Sequence, residues 1–178
     1  DIERALRDTG EIMQAGAQEI DLVLPWRALM AGDDAACAAL LRAVRRASEG
    51  LRLKVILESG ELAAPVLVAQ ASRLALAEGA DFLKTSTGKT PHGATPDAAR
   101  VMLQAIAADP RAAAHAGFKA SGGVRSVADA AVYIEMVEST LGAGALVPAR
   151  FRIGASGLLA DIEAVLAGRG DTPAAAGY

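Results

Sequence analysis

The sequence predicts an α/β chain with a parallel sheet and helical crossovers, and three observations carry that expectation. Helix-like and strand-like patterns alternate from one end to the other. Strands begin near residues 20, 53, 82, 117 and 151, spacings of 33, 29, 35 and 34 residues, so five βα units of near-equal length follow one another. Of the residues, 52% are hydrophobic but only 3% aromatic, which calls for a core of Ala, Leu and Val. Two architectures accommodate this: an open doubly wound sheet, or an arc of a (β/α)₈ barrel. Eight units take about 250 residues, and this chain has 178. The barrel reading therefore carries the expectation that about three N-terminal units lie outside the chain.

The elements follow in order. Ile2 to Ala15 is an amphipathic helix with Ile2, Leu6, Ile12 and Met13 among charges, stopped by Gly16. Glu19–Pro25 (EIDLVLP) reads as a buried strand. Ala35 to Ser48 is helical, with Arg42, Arg45 and Arg46 toward the end where cations suit the dipole. Leu53–Glu58 (LKVILE) is the second strand, Pro65–Glu78 a helix ended by Gly79, and Asp81–Ser86 (DFLKTS) the third strand. Thr95-Pro96-Asp97 supplies an N-cap hydroxyl, a first-turn proline and an acid for a helix running to about Ala108. Gly117–Ser121 (GFKAS) is a strand, and Ser126-x-x-Asp129 a capping box for a helix to about Thr140. Phe151–Ala155 is the last strand and Leu158–Leu166 the last helix. Residues 1–167 thus form one domain portion, and the Gly/Pro/Ala-rich 168–178 is expected to be a flexible tail.

Composition narrows the function classes. Eighteen Lys and Arg against 21 Asp and Glu leave a net charge of −3, with no electrostatic footprint for nucleic acid or an anionic membrane. A single cysteine, Cys37, permits no intrachain disulfide, and one Cys with two His does not supply the usual zinc ligands. No apolar run approaches the ~18 residues of a membrane span. The expectation is a cytoplasmic protein without a bound metal or other cofactor.

Only four of the eighteen cations are lysines: Lys54, Lys84, Lys89 and Lys119. Arginine cannot lose its proton and attack a carbonyl, whereas a lysine amine can. Strand side chains alternate, so Asp21, Val23 and Pro25 share a face, as do Lys54, Ile56 and Glu58, then Phe82, Lys84 and Ser86, then Gly117, Lys119 and Ser121. Four successive strands each place charge on one face, with Leu22, Leu24, Val55, Leu57, Leu83 and Phe118 on the other. Such charges are costly unless paired, so this face is either a structural ion network of Asp21, Glu58 and the lysines, or a site. Loops follow three of the strands: Thr85-Ser86-Thr87-Gly88-Lys89, Ser121-Gly122-Gly123-Val124-Arg125 and Gly154-Ala155-Ser156-Gly157. Backbone N–H groups at such turns, backed by a helix N-terminus, suit an anion.

The segments EIDLVLPWRALMAG, LKVILESGEL, ADFLKTSTGK, GFKASGGVR and RIGAS, in this order and spacing, closely resemble the 2-deoxyribose-5-phosphate aldolases. The resemblance implies a (β/α)₈ TIM barrel, of which this chain carries about the last five βα units. It implies a class I lyase of deoxyribonucleotide catabolism that cleaves 2-deoxy-D-ribose 5-phosphate reversibly to acetaldehyde and D-glyceraldehyde 3-phosphate. Lys84 would form the Schiff base, Lys119 would be the second active-site lysine, and Asp21 with a water would relay protons. The phosphate site would fall on Thr87, Gly88, Lys89, Gly122, Gly123, Arg125, Gly154 and Ser156. Lys54 and Glu58 are candidates for supporting the site as a whole, and Tyr178 matches a terminal tyrosine that some members of the family use in proton transfer.

An unperturbed lysine, with a pKa of about 10.4, is free about once in 2,500 molecules at pH 7. Lys119 on the neighbouring strand is expected to lower the pKa of Lys84 and raise that fraction. The partners expected are a small phosphorylated sugar and aldehydes, with either a second copy or the missing N-terminal segment to complete the sheet. Two other readings stay open: another Schiff-base phosphosugar aldolase, or a non-catalytic phosphosugar-binding or assembly fragment.

Overall fold

The computed structural model describes residues 1–169; Tyr178, the last residue of the expected tail, lies outside them. Helix α1 (Ile2–Gln14) leads into β1 (Glu19–Val23), followed by α2 (Trp26–Met30), α3 (Asp34–Ala47) and β2 (Arg52–Ile56). Then come α4 (Ser59–Leu62), α5 (Pro65–Ala77), β3 (Phe82–Lys84), α6 (Pro96–Ala108) and β4 (Gly117–Ser121). Helix α7 (Val127–Leu141), a 3₁₀ turn at Ala143–Ala145, β5 (Phe151–Gly154) and α8 (Leu158–Leu166) complete the order. The expected helices and strands form to within a few residues. Helices α2 and α4 and the 3₁₀ turn were not expected, because one turn of helix is too short to display a 3.6-residue period.

Local chemistry explains the helix starts that position the loops. The Thr95 hydroxyl accepts from the Ala98 N–H at 3.2 Å, with Pro96 behind it. At α7 the Ser126 hydroxyl accepts from the Asp129 N–H at 3.1 Å, and the Asp129 carboxylate accepts from the Ser126 N–H at 3.0 Å.

All five strands pair in parallel in the order β1-β2-β3-β4-β5. The outer face packs Leu53, Val55, Leu57, Leu83 and Phe118, all fully buried, beneath helix residues such as Leu41, Val44, Val68, Ala71, Met102, Leu103 and Ile106. The small side chains of Ala71 and Ala75 let α5 lie close to the sheet.

One contact decides between the two architectures. The Arg152 guanidinium on β5 makes two hydrogen bonds, of 2.7 and 2.8 Å, to the Glu19 carboxylate on β1. Four strand spacings in a flat sheet would separate those strands by about 19 Å, beyond the combined reach of the two side chains. The sheet is therefore curled into an arc of a barrel, and its first and last strands meet through charges across the interior.

Candidate active site

The interior face has two levels. At the N-terminal ends of the strands, Glu19 accepts hydrogen bonds from Arg52 at 2.8 Å, from Lys54 at 2.6 Å and from both arms of Arg152. Arg152 and Arg52 lie over the buried Phe82 ring, 4.9 and 5.8 Å from its centre. The Glu19 carboxyl is held far below the ordinary carboxylate range, chiefly by the Arg152 hydrogen bonds, with Lys54 and Arg52 adding and burial opposing. This level is saturated: one carboxylate meets three cations.

Toward the C-terminal ends, Lys54 turns its other side to Asp21 at 2.8 Å, and Lys84 meets the same carboxylate at 2.7 Å. Burial works to raise the Asp21 pKa, but Lys54 and Lys84 together outweigh it and the group lies below its ordinary value. Lys119 sits level with Lys84 on the adjacent strand. Among the described residues its ammonium has neither a hydrogen-bond nor an ion-pair partner. Burial first, and then the charges of Lys84, Lys54 and Arg152, lower the Lys119 pKa against the opposing pull of Asp21. Lys84, by contrast, donates to a carboxylate. Gly154 makes room for this arrangement, since a Cβ there would stand 2.8 Å from the Ser121 hydroxyl oxygen and 3.1 Å from Cε of Lys119.

Above the lysines, Thr87, Gly88, Ser121–Arg125 and Gly154–Gly157 line a concave pocket of about 610 Å³. Gly122 and Gly123 both have φ near +85°, which a side chain would strain, and so the chain turns sharply after β4. Asp129 takes the N–H groups of Arg125 and Ser126. Among the described residues, the backbone N–H groups of Gly88, Gly123, Val124, Ala155, Ser156 and Gly157 carry no internal hydrogen bond. Unclaimed donors converging on one concavity are the makings of an anion site.

The residues singled out from sequence fall into clear places. Asp21, Lys54, Lys84 and Lys119 come together in the interior. Thr87, Gly88, Gly122, Gly123, Arg125, Gly154 and Ser156 line the pocket. Lys89 is exposed and is not among its lining residues. Glu58 takes no part in the ion network; it accepts from the loop after β3 instead. Glu19, Arg52 and Arg152 went unnoticed. The usable signal was the same alternation, because Glu19 stands two residues before Asp21, Arg52 two before Lys54 and Arg152 two before Gly154. Among the described residues, no three His, Cys, Asp or Glu side chains form a metal cluster, and no helix is long and apolar enough to cross a membrane.

Residues 4–164 match the family model described as DeoC/LacD family aldolase. A deoxyribose-phosphate aldolase from Agrobacterium fabrum is 46% identical over 179 residues, covering all of this chain and 68% of that protein. Among solved structures, a proposed deoxyribose-phosphate aldolase from Coccidioides immitis superposes with a TM-score of 0.79 at 26% identity, covering 93% of this chain and 59% of that one. A deoxyribose phosphate aldolase from Aeropyrum pernix, described as a tetramer, gives 0.72 at 25% identity, covering 93% and 62%. The chain thus spans between 59% and 68% of the length of these three proteins.

Proposed function

Because the chain belongs to the DeoC/LacD aldolase family, we propose that it carries the imine-forming and phosphate-binding parts of a class I aldolase acting on 2-deoxy-D-ribose 5-phosphate. The observation that carries the reading is the pair of lysines, level on adjacent strands, with the Asp21 carboxylate 2.7 Å from the Lys84 amine beneath an anion-suited pocket. Five cationic side chains and two carboxylates share the interior face, in a chain whose net charge is −3. That local excess of positive charge suits a phosphorylated substrate.

The chemistry runs through Lys84. Asp21 accepts a proton from the Lys84 ammonium, and the freed amine adds to the C1 aldehyde of the open-chain sugar. The carbinolamine loses water to an iminium. Loss of the C3 hydroxyl proton then lets the C2–C3 bond break, its electron pair passing into the iminium to form an enamine. D-glyceraldehyde 3-phosphate departs, the enamine is protonated at C2, and water releases acetaldehyde. Asp21 and Lys119 are the groups placed to move these protons. The pocket donors hold the phosphate, so binding energy remote from the bond being broken positions C1 over the amine.

One observation favours a second reading. Lys119, unpaired among the described residues, has a lowered pKa, which suits it to attack the carbonyl itself. Acetaldehyde followed by borohydride, with peptide mapping of the intact chain, separates the two. A reduced two-carbon adduct on Lys84 is the expected result. An adduct on Lys119 alone would reverse the roles, and no adduct on either would defeat catalysis by this chain.

The edges of the arc bear on partners. Ile2, Leu6 and Ile12 on α1, and Leu159, Ile162, Val165 and Leu166 on α8, are exposed. Further βα units, from a longer form of this polypeptide or from a second copy, would cover those faces and the edges of β1 and β5.

A further inference from the structure

Glu58 is a buried carboxylate, 2% exposed, with no cationic partner among the described residues. It also has φ and ψ of 54° and 53°, left-handed values that a glutamate adopts only at a cost of about 1–2 kcal/mol. Standing at the N-cap position of α4, it does not cap that helix with its side chain. Both features are unfavourable alone, and both follow from where the carboxylate goes.

The left-handed turn carries the side chain across to the loop after β3. There Oε1 accepts from the Thr87 N–H at 3.0 Å and Oε2 accepts from the Thr87 hydroxyl at 2.7 Å. The Thr87 hydroxyl oxygen in turn accepts from the Lys89 N–H at 3.1 Å. The Thr90 hydroxyl stands 3.4 Å from Oε1 and 3.1 Å from the His92 carbonyl. Three consecutive residues are thus sorted. The amides of Thr87 and Lys89 are spent inside the loop, and that of Gly88, at φ +76°, has no partner among the described residues where the loop lines the anion pocket.

We propose that Glu58 is the positioning residue of the phosphate subsite, acting through Thr87 to hold the Gly88 amide in the cradle. The proposal rests on reading that pocket as the place of the substrate phosphate. A carboxylate suits the task because it can only accept. A glutamine has one acceptor oxygen in place of the two that take the Thr87 N–H and the Thr87 hydroxyl, so one of the two bonds that fix the loop would be lost or reversed.

The test uses the full chain, with inorganic phosphate as the probe of the pocket and acetaldehyde–borohydride trapping, which needs no phosphate, as the probe of the lysines. In Glu58→Gln, phosphate affinity is expected to fall about tenfold relative to the trapping rate. Thr87→Val, which removes the relaying hydroxyl, is expected to weaken phosphate binding to a similar degree, and Thr87→Ser to restore it. These two variants decide the matter if Glu58→Gln does not fold. Wild-type phosphate affinity in both Glu58→Gln and Thr87→Val would overturn the proposal. Equal loss of phosphate binding and trapping would also overturn it, since that is the mark of a general structural role. If the unaltered chain traps acetaldehyde but binds no phosphate, the pocket reading falls and this proposal with it.

Discussion

The floor and the upper level of the same barrel interior are built from the same residue types and differ in how completely they are paired. On the floor, Glu19 binds Arg52, Lys54 and Arg152 at 2.6–2.8 Å, and its acceptors are filled. One level up, among the described residues, Lys119 has no partner, Lys84 shares Asp21 with Lys54, and six backbone amides at the rim stand open. Saturated charge supports shape, since it ties β5 to β1 and sets the curl of the sheet. Unsaturated charge is costly to hold and remains available to a ligand. Lys54 joins the two levels by touching both carboxylates.

Removing the amine proposed to form the imine should give the largest effect. Lys84→Ala is expected to abolish the reduced acetaldehyde adduct at that position and to lower aldol turnover by about a thousandfold or more. Its stability should change little in comparison, because Asp21 keeps Lys54 as a partner. A variant that keeps turnover would break the division of labour between the levels. Urea unfolding alongside the trapping reaction supplies both readings.

The floor should answer in the opposite sense. Glu19→Gln leaves Arg52 and Arg152 without their carboxylate and is expected to cost about 3 kcal/mol of stability, read as a lower urea midpoint. The pH dependence follows from the lowered pKa. A carboxyl held below its ordinary value of 4.5 stabilises the fold fully above that value, and the contribution drains away as pH falls toward the folded-state pKa. Between about pH 7 and about pH 3 the wild type should therefore lose more stability than Glu19→Gln. Parallel losses would mean that Glu19 does not hold the floor.

The same contrast separates what could be read in the sequence from what could not. Strand alternation placed Asp21, Lys54, Lys84 and Lys119 on one face because side-chain direction is local and each lies within a paired strand. The α6 and α7 caps were legible for the same reason. Glu19 and Arg152 are 133 residues apart, and their contact exists only once the sheet curls. Alternation could place each on the charged face but could not reveal that they meet. Glu58 shows the rule run past its domain. Strand β2 has ended at Ile56, and the left-handed backbone at Glu58 sends the carboxylate to Thr87 instead of toward the lysines.

The smallest effect should come from Lys119→Met, and it tests whether the open upper level bears a cost. A lysine with a folded-state pKa below its ordinary 10.5 gives up its proton more readily in the fold than in the unfolded chain. In the window between the folded value and 10.5 the unfolded chain binds more protons, so this residue makes stability rise with pH. Methionine has no proton to lose, so as pH rises toward 10.5 the wild type should gain on the variant in urea midpoint. Trapping at Lys84 should slow about tenfold, because Lys119 no longer helps to move protons. A slower reaction with no change in the pH slope would assign Lys119 to proton transfer alone. A pH slope removed without slowing would make its positive charge a cost of the open site and not part of its chemistry.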